Sequence, residues 1–356
     1  MLLRYLTSIR AFHTLKSTPL NQTKKKTLSP LTQSVIPKDI RPAYPDATPA
    51  AAVRSKLVEL LGLEEVPAAI EYTIEGRQEE DGLCTTRIRY ENSLGETVPG
   101  ILTVPREESV HQRPGIVCVP GTGGTADEIA HPRFSMERKL MGWARELARR
   151  GFATLAISPK GCEMRRSSLA EWATENKLLV PYGRTQMGVL VEETLKGARL
   201  LAATPGIDPN RIGLTGMSLG GNATWYAMAC APWIWAGVPV CGGVGSMARV
   251  IHHTAADHTA DRHSAYYFIP HLLRHFDHAA IVAACMPPRP FMMIAPTEDE
   301  DMPREGVDEL IPVVSEAYAE AGCPERFQVR QPEGNHAFLV EYFEWMADWF
   351  RLASRS

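Results

Sequence analysis

The sequence predicts an α/β protein whose mostly parallel, doubly wound sheet is preceded by antiparallel strands. Three observations carry that prediction. Short, continuous apolar runs at Gly115–Val119, Phe152–Ile157 and Phe291–Ala295 read as strands buried on both faces. Helical patterns separate such runs, at Met136–Arg150, Gln186–Ala203, Leu219–Cys230, Val307–Ala321 and Glu341–Leu352. The strand candidates near the start are of another kind: Thr85–Tyr90 alternates partly, as a strand with one wet face should.

Taken in order, the chain opens on a leader. From Met1 to Lys38 it has no Asp or Glu but carries Arg4, Arg10, Lys16, Lys24, Lys25 and Lys26 among many Ser and Thr. A basic, Ser-rich, acid-poor start resembles an organelle transit peptide; the plainer reading is an unstructured leader. Cytoplasmic location is the expectation, with mitochondrial or other organelle import as the alternative. A Pro-rich linker, Pro37–Pro49, follows, so residues 1–49 are set apart from the fold. Residues 50–356 read as one domain with an insertion at about 243–277. Its first helix is expected at Ala50–Leu61, stopped by Gly62. Strands are expected at Ala69–Ile74, Thr85–Tyr90 and Val98–Thr103, then at the apolar runs above and at Arg211–Thr215, Val238–Cys241 and Arg326–Val329. Alternating strands and helices put helices on both faces of the sheet and bring the strand ends to one common edge, where sites in such folds lie.

Bulk properties narrow the function. The chain has 356 residues, 44% hydrophobic and 22% charged, with a net charge of -3. No Lys/Arg block in the body of the chain offers the counterion release that nucleic-acid binding needs. No apolar stretch approaches the roughly 20 residues of a membrane span. The seven cysteines are scattered, odd in number and without a CxxC pair, and read as reduced core residues. The expected partner is a small molecule, with neither nucleic acid nor membrane; a homo-oligomer stays open.

The most informative stretch is Gly216-Met217-Ser218-Leu219-Gly220-Gly221, which follows the expected strand Arg211–Thr215 and opens the helix Leu219–Cys230. That is the setting of a G-x-S-x-G nucleophile turn. The turn closes only where the residues two away from the serine lack side chains. It then projects the hydroxyl at a helix N-terminus that favours developing negative charge.

With these residues the sequence resembles the α/β-hydrolase superfamily, and most of all its dienelactone-hydrolase and acetyl-xylan-esterase-like branch. Ile207–Gly221 carries the resemblance, as does Gly334-Asn335-His336-Ala337-Phe338. It covers roughly Gly100 to Leu352. It implies an α/β-hydrolase fold with a small His-rich cap insertion, a catalytic triad and no cofactor. Chain order in that fold is nucleophile, acid, base. Ser218 is then the nucleophile and His336 the base. Among Glu298, Asp299, Glu300 and Asp301, the family's spacing to Met302-Pro303 selects Asp299 as the acid, with Asp301 second; Pro296 stands where relatives usually have Gly. The oxyanion hole falls to the backbone N–H of Leu219 and of Thr122, in Pro120-Gly121-Thr122-Gly123-Gly124, where many relatives have His-Gly. No Lys follows those glycines as a phosphate loop would require.

Between Cys241 and Phe291 lie His252, His253, His258, His263, His271, His275 and His278, with Tyr266 and Tyr267 interleaved. His271 and His275 stand one helical turn apart, but no Cys joins them and the expected chemistry needs no metal, so none is expected. Substrate contacts are expected from Gly121, Gly123, Arg165, Tyr266, Tyr267 and His263. The polar insertion argues against a lipase lid and for a compact polar or aromatic ester. The expected activity is hydrolysis of a carboxylic ester through an acyl-enzyme. A lactone or carbon–carbon bond substrate is the alternative, ahead of a peptidase or a non-catalytic binding protein.

Overall fold

The computed structural model describes residues 48–106, 112–131, 142–165, 169–256 and 263–355. The leader therefore lies outside the described residues, as do Arg166, His258 and the first part of the helix expected at Met136–Arg150. Nine strands form one sheet: β1 (Tyr72–Glu80), β2 (Leu83–Glu91), β3 (Thr97–Pro105), β4 (Arg113–Val119), β5 (Ala153–Ile157), β6 (Ile207–Met217), β7 (Ala236–Val240), β8 (Phe291–Ile294) and β9 (Phe327–Arg330). Their spatial order is β1-β2-β3-β5-β4-β6-β7-β8-β9. β1, β2, β3 and β5 pair antiparallel, and every pair from β5 through β9 is parallel.

The helices are α1 (Ala50–Leu61), α2 (Ala126–Ala130), α3 (Trp143–Arg149), α4 (Leu169–Leu179), α5 (Gln186–Ala202), α6 (Leu219–Cys230), α7 (Met247–Ala256), α8 (His278–Cys285), α9 (Arg304–Glu320) and α10 (Val340–Ala353). They cover the sheet as two layers, each with its own core. Residues of α1, α5, α6, α8 and α9 pack on one face, including Leu57, Leu190, Trp225 and Val314. Residues of α2, α3 and α10 pack on the other, including Ile129, Trp143 and Phe350. Each large aliphatic side chain taken out of water this way stabilises the fold by about 1.5–3 kcal/mol. In α1 the burying residues are Val53, Leu57 and Leu61, one turn apart. That spacing is what makes the segment a helix in context, because its single apolar stripe needs a partner.

Burial also explains the strands. β4, β5, β7 and β8 are sandwiched and apolar throughout their middles. β1 is exposed along nearly its whole length and reads Tyr-Thr-Ile-Glu-Gly-Arg-Gln-Glu-Glu. Within the sheet it pairs with β2 alone, with a bulge between Ile74 and Gly76. Among the described residues no helix is long and apolar enough to cross a membrane.

Candidate active site

The right-handed β–α connections bring the C-terminal ends of the parallel strands to one edge, and the candidate residues gather there. Ser218 sits between β6 and α6 with φ 56° and ψ -119°, a conformation that L-residues avoid. Its N–H donates to Val240 O at 2.9 Å, which ties the turn to the end of β7. The strain, of order 1–3 kcal/mol, is held by what packs around it. Space there is minimal: a Cβ on Gly216 would lie 2.4 Å from the backbone of Gly220, and one on Gly220 would lie 1.9 Å from Val119 O.

The loop after β4 lies against this turn. A Cβ on Gly121 would sit 3.4 Å from Ser218 Cβ. Gly124 N–H donates to Gly121 O (2.9 Å) and Gly123 N–H to Gly161 O (3.2 Å). Thr125 then starts α2 with a reciprocal capping box to Glu128. The loop is thereby fixed at both ends of Thr122. Leu219 is the first residue of α6, so its N–H has no carbonyl one turn back to meet.

The candidate base and acid come from the loops after β9 and β8. Those loops are laced by backbone hydrogen bonds: Ala295 N–H to Arg330 O (2.8 Å), Thr297 N–H to Pro332 O (2.9 Å) and Glu298 N–H to Gly334 O (3.0 Å). The lacing presents Asp299 Oδ1 to His336 Nδ1 at 2.9 Å. Asp299 is almost fully buried, at 4% side-chain exposure, and His336 keeps 20%. Of the four carboxylates in the acid loop, Asp299 is the one on Nδ1; Asp301 lies on the other ring nitrogen, with Oδ2 3.5 Å from Nε2. Burial works against a charged imidazole here. The hydrogen bond donated to Asp299, the Asp299 charge, and the charges of Asp301 and Glu300 outweigh it and raise the His336 pKa above its ordinary value.

Cys241 was read from sequence as a core cysteine and is indeed buried. It also touches this pair. It follows β7 at φ 47°, its Sγ lies 3.5 Å from Ala337 O, and its thiol faces the Asp299 carboxylate. Cys241, Asp299 and His336 are the one grouping of potential metal-ligating atoms among the described residues. The acid–base pairing of Asp299 and His336 already accounts for it. Only its place directly after a central strand, before Gly242-Gly243, sets Cys241 apart in the sequence from the other six.

The expected substrate contacts divide. Gly121, Thr122 and Gly123 line a cleft of about 360 Å³ together with Ile129, Trp143, Met217 and Phe338. Trp143 and Phe338 stack across it with ring centroids 5.1 Å apart. Tyr266 is buried with its hydroxyl facing the side chains of Thr122 and Asn222, over the nucleophile turn. Asn222 was not singled out from sequence; its N–H and Nδ2 both donate to Ser218 O (2.9 and 3.3 Å).

Three expectations need correction. Arg165 does not face a substrate: its guanidinium forks onto Glu193 (2.8 and 2.9 Å) and also reaches Glu96 (3.1 Å) and Ser158 O (3.2 Å). Glu193 is fully buried, and its charge needs that partner more than any ligand does. Tyr267 is wholly buried and donates its hydroxyl to Gly243 O at 2.9 Å. His263 is stacked flat on Tyr267 (centroids 3.7 Å, 7°), with Nε2 on the backbone carbonyl of Asp301. Both support the acid loop from behind.

Burial pushes the His263 pKa down to about 4, against the opposing pull of the Asp301 carbonyl, so the ring is neutral and donates. The unfolded chain, with an ordinary value near 6.5, takes up a proton that the folded one refuses. Stability from this site is complete above pH 6.5 and is lost as pH falls toward 4, by about 3 kcal/mol in all. Thermal melts of wild type and His263→Gln at pH 7 and pH 4.5 check this; the variant should lose the smaller Tm over that interval. Equal losses would place the acid sensitivity elsewhere.

Comparison with known proteins adds the following. A family model described as the Abhydrolase family matches residues 90–337, well over half of the chain. YtaP of Bacillus subtilis (strain 168), a protein assigned by name as a hydrolase, is 28% identical over 212 residues. That match covers 59% of this chain and 65% of YtaP, just under two thirds of the relative's length. Among solved structures, a protein from Bacteroides fragilis NCTC 9343 described as an acetyl xylan esterase superposes with TM-score 0.70 at 17% identity, over 90% of this chain and 93% of its own. A glucuronoyl esterase from Solibacter usitatus gives 0.61 at 12%, over 85% and 91%. An acetyl xylan esterase from Paenibacillus sp. R4 gives 0.60 at 16%, over 89% and 99%. At these identities the structures attest the shared fold.

Proposed function

The chain belongs to the Abhydrolase family and is a hydrolase of the α/β-hydrolase fold, and from that premise we propose that it is a serine esterase acting through an acyl-enzyme on a compact ester. The observation that carries this reading is the buried Asp299 carboxylate on His336 Nδ1 at 2.9 Å, at the same sheet edge as a serine held in a strained strand-to-helix turn.

In the proposed reaction Asp299 fixes the imidazole with its proton on Nδ1, leaving Nε2 as the base. Ser218 Oγ attacks the ester carbonyl as His336 Nε2 takes its proton. The negative charge that develops on the carbonyl oxygen meets the N–H groups of Leu219 and Thr122, with the α6 N-terminus behind them. The carbon–oxygen bond then breaks, and the leaving alcohol oxygen takes the proton from Nε2. Water, deprotonated by the same nitrogen, attacks the acyl carbon and releases the acid and Ser218. Every proton removed returns, and no metal, redox partner or cofactor is required. The cleft beside the Thr122 loop, about 360 Å³ with an aromatic wall, suits a compact acyl or alcohol group. The names of the structural relatives, acetyl xylan and glucuronoyl esterases, point the same way.

The reading is tested with p-nitrophenyl acetate, butyrate and octanoate, beside fluorophosphonate labelling. The expected result is turnover of the acetate, kcat/KM falling at least tenfold by octanoate, and stoichiometric label on Ser218. Label without turnover of any ester would shift the reading to a lactone or carbon–carbon substrate. Failure of the label would end the serine-nucleophile assignment.

A further inference from the structure

His336 is flanked by carboxylates on both ring nitrogens. Asp299 is on Nδ1 at 2.9 Å, and Asp301 Oδ2 is 3.5 Å from Nε2. An acid–base pair needs only the first. We propose that Asp301 is a second carboxylate acting on the base, which holds the protonated form of His336 from its Nε2 side and so sets the strength of the base and the pH at which it works. This rests on the esterase reading above only for the identity of the reaction.

The asymmetry between the two ring states carries the argument. With Nδ1–H on Asp299, a neutral ring carries no net charge for the Asp301 carboxylate to act on. The protonated ring carries a full positive charge with the Asp301 oxygen 3.5 Å from Nε2, and is attracted to it. Asp301 therefore favours the imidazolium that forms whenever a proton leaves Ser218 Oγ. The proton stays on Nε2, between Oγ and the Asp301 carboxylate, until the leaving oxygen takes it; Asp301 remains ionised throughout.

The backbone of Asp301 helps to hold it in place for this role. Its N–H donates to Asp299 Oδ1 at 2.9 Å, and its carbonyl accepts from the neutral His263 ring. The backbone that carries Asp301 is thus hydrogen-bonded to the Asp299 carboxylate within one short segment. Among the described residues, the other titratable groups facing the base are Glu300, whose charge acts in the same sense, His263, which is neutral above about pH 4, and Cys241, which faces Asp299. Asp301 keeps 21% side-chain exposure, so water moderates its effect without removing it.

The test is the pH dependence of kcat/KM for p-nitrophenyl acetate in wild type, Asp301→Asn and Asp301→Ser, beside the titration of the His336 ring by NMR in all three, where loss of the carboxylate should lower the ring's midpoint. The base must be neutral to act, so activity rises as pH climbs through its pKa. In wild type that rise is expected above pH 6.5. In Asp301→Asn the acid limb should move down by about 0.5–1 pH unit, with the alkaline plateau lowered several-fold. An unmoved or upward-moved limb in both variants overturns the proposal. So does a wild-type His336 that titrates below 6.5. A plateau that collapses by a thousandfold or more overturns it too, since Asp301 would then be the triad acid itself. Failure of the wild type to label with a fluorophosphonate refutes the esterase reading instead, and leaves the ring titration to decide on Asp301.

Discussion

Ser218→Ala should remove ester hydrolysis almost completely, by about 10⁴–10⁶-fold in kcat, while the protein keeps its fold. The magnitude follows from the mechanism: without Oγ there is no acyl-enzyme, and what survives is water attack assisted by oxyanion binding. Stability should change little, since alanine carries the same Cβ at φ 56° and keeps the backbone hydrogen bonds of the turn. Paired with it, His336→Ala should cost nearly as much, and the double variant little more than either alone, because nucleophile and base act as one unit. Burst-phase kinetics with p-nitrophenyl acetate, and a melting curve for each variant, check both halves. Additive losses in the double variant would mean that the two residues serve separate steps.

The largest effect on folding is expected two residues further on. Gly220→Ala places a Cβ 1.9 Å from Val119 O and 2.5 Å from its carbonyl carbon. Neither is a side chain that can swing away; both belong to β4, hydrogen-bonded in the middle of the sheet. Something on the scale of an ångström has to shift, either α6 off the sheet or β4 away from β6. The expected loss is roughly 4 kcal/mol or more, enough to leave a domain of ordinary stability largely unfolded. Soluble yield and chemical denaturation would show it. A Gly220→Ala protein with native stability would mean that the helix approaches the sheet less closely than described.

Much of this was legible in the sequence, for identifiable reasons. α1 and α6 appear with the boundaries read from Ala50–Leu61 and Leu219–Cys230 because sharp stops, Gly62 and the serine turn, bracket them. The strand expected at Ala69–Ile74 lies instead at Tyr72–Glu80. An edge strand paired on one side and wet on both faces needs no apolar pattern, and Glu75–Glu80 has none. β6 starts at Ile207, before Pro209, because pairing of Arg113 with Ile207 extends it past a residue that normally ends a strand. That Ser218, Asp299 and His336 would come to one sheet edge could be read because each follows a strand. The long-range partners could not. Arg165 meets Glu193 and Glu96, and His263 meets the Asp301 backbone, through folding that no local pattern encodes. A polar side chain near a strand end looks the same in sequence whether it awaits a ligand or is already satisfied.

The lacing of the acid and base loops has a consequence for the protein's birth. Ser218 emerges from the ribosome more than a hundred residues before His336, and Asp299 nearly forty before it. Until β9 docks beside β8, the backbone bonds that hold Pro296–Asp299 against Pro332–Gly334 have no second partner. The serine turn can form early, on β4, β6 and β7, without a base to arm it. On the mechanism proposed above, a growing chain therefore carries Ser218 without its base, in an inert state. The proposed reactivity toward esters would arrive only with the last described strand, when the rest of the molecule is already there to choose among them.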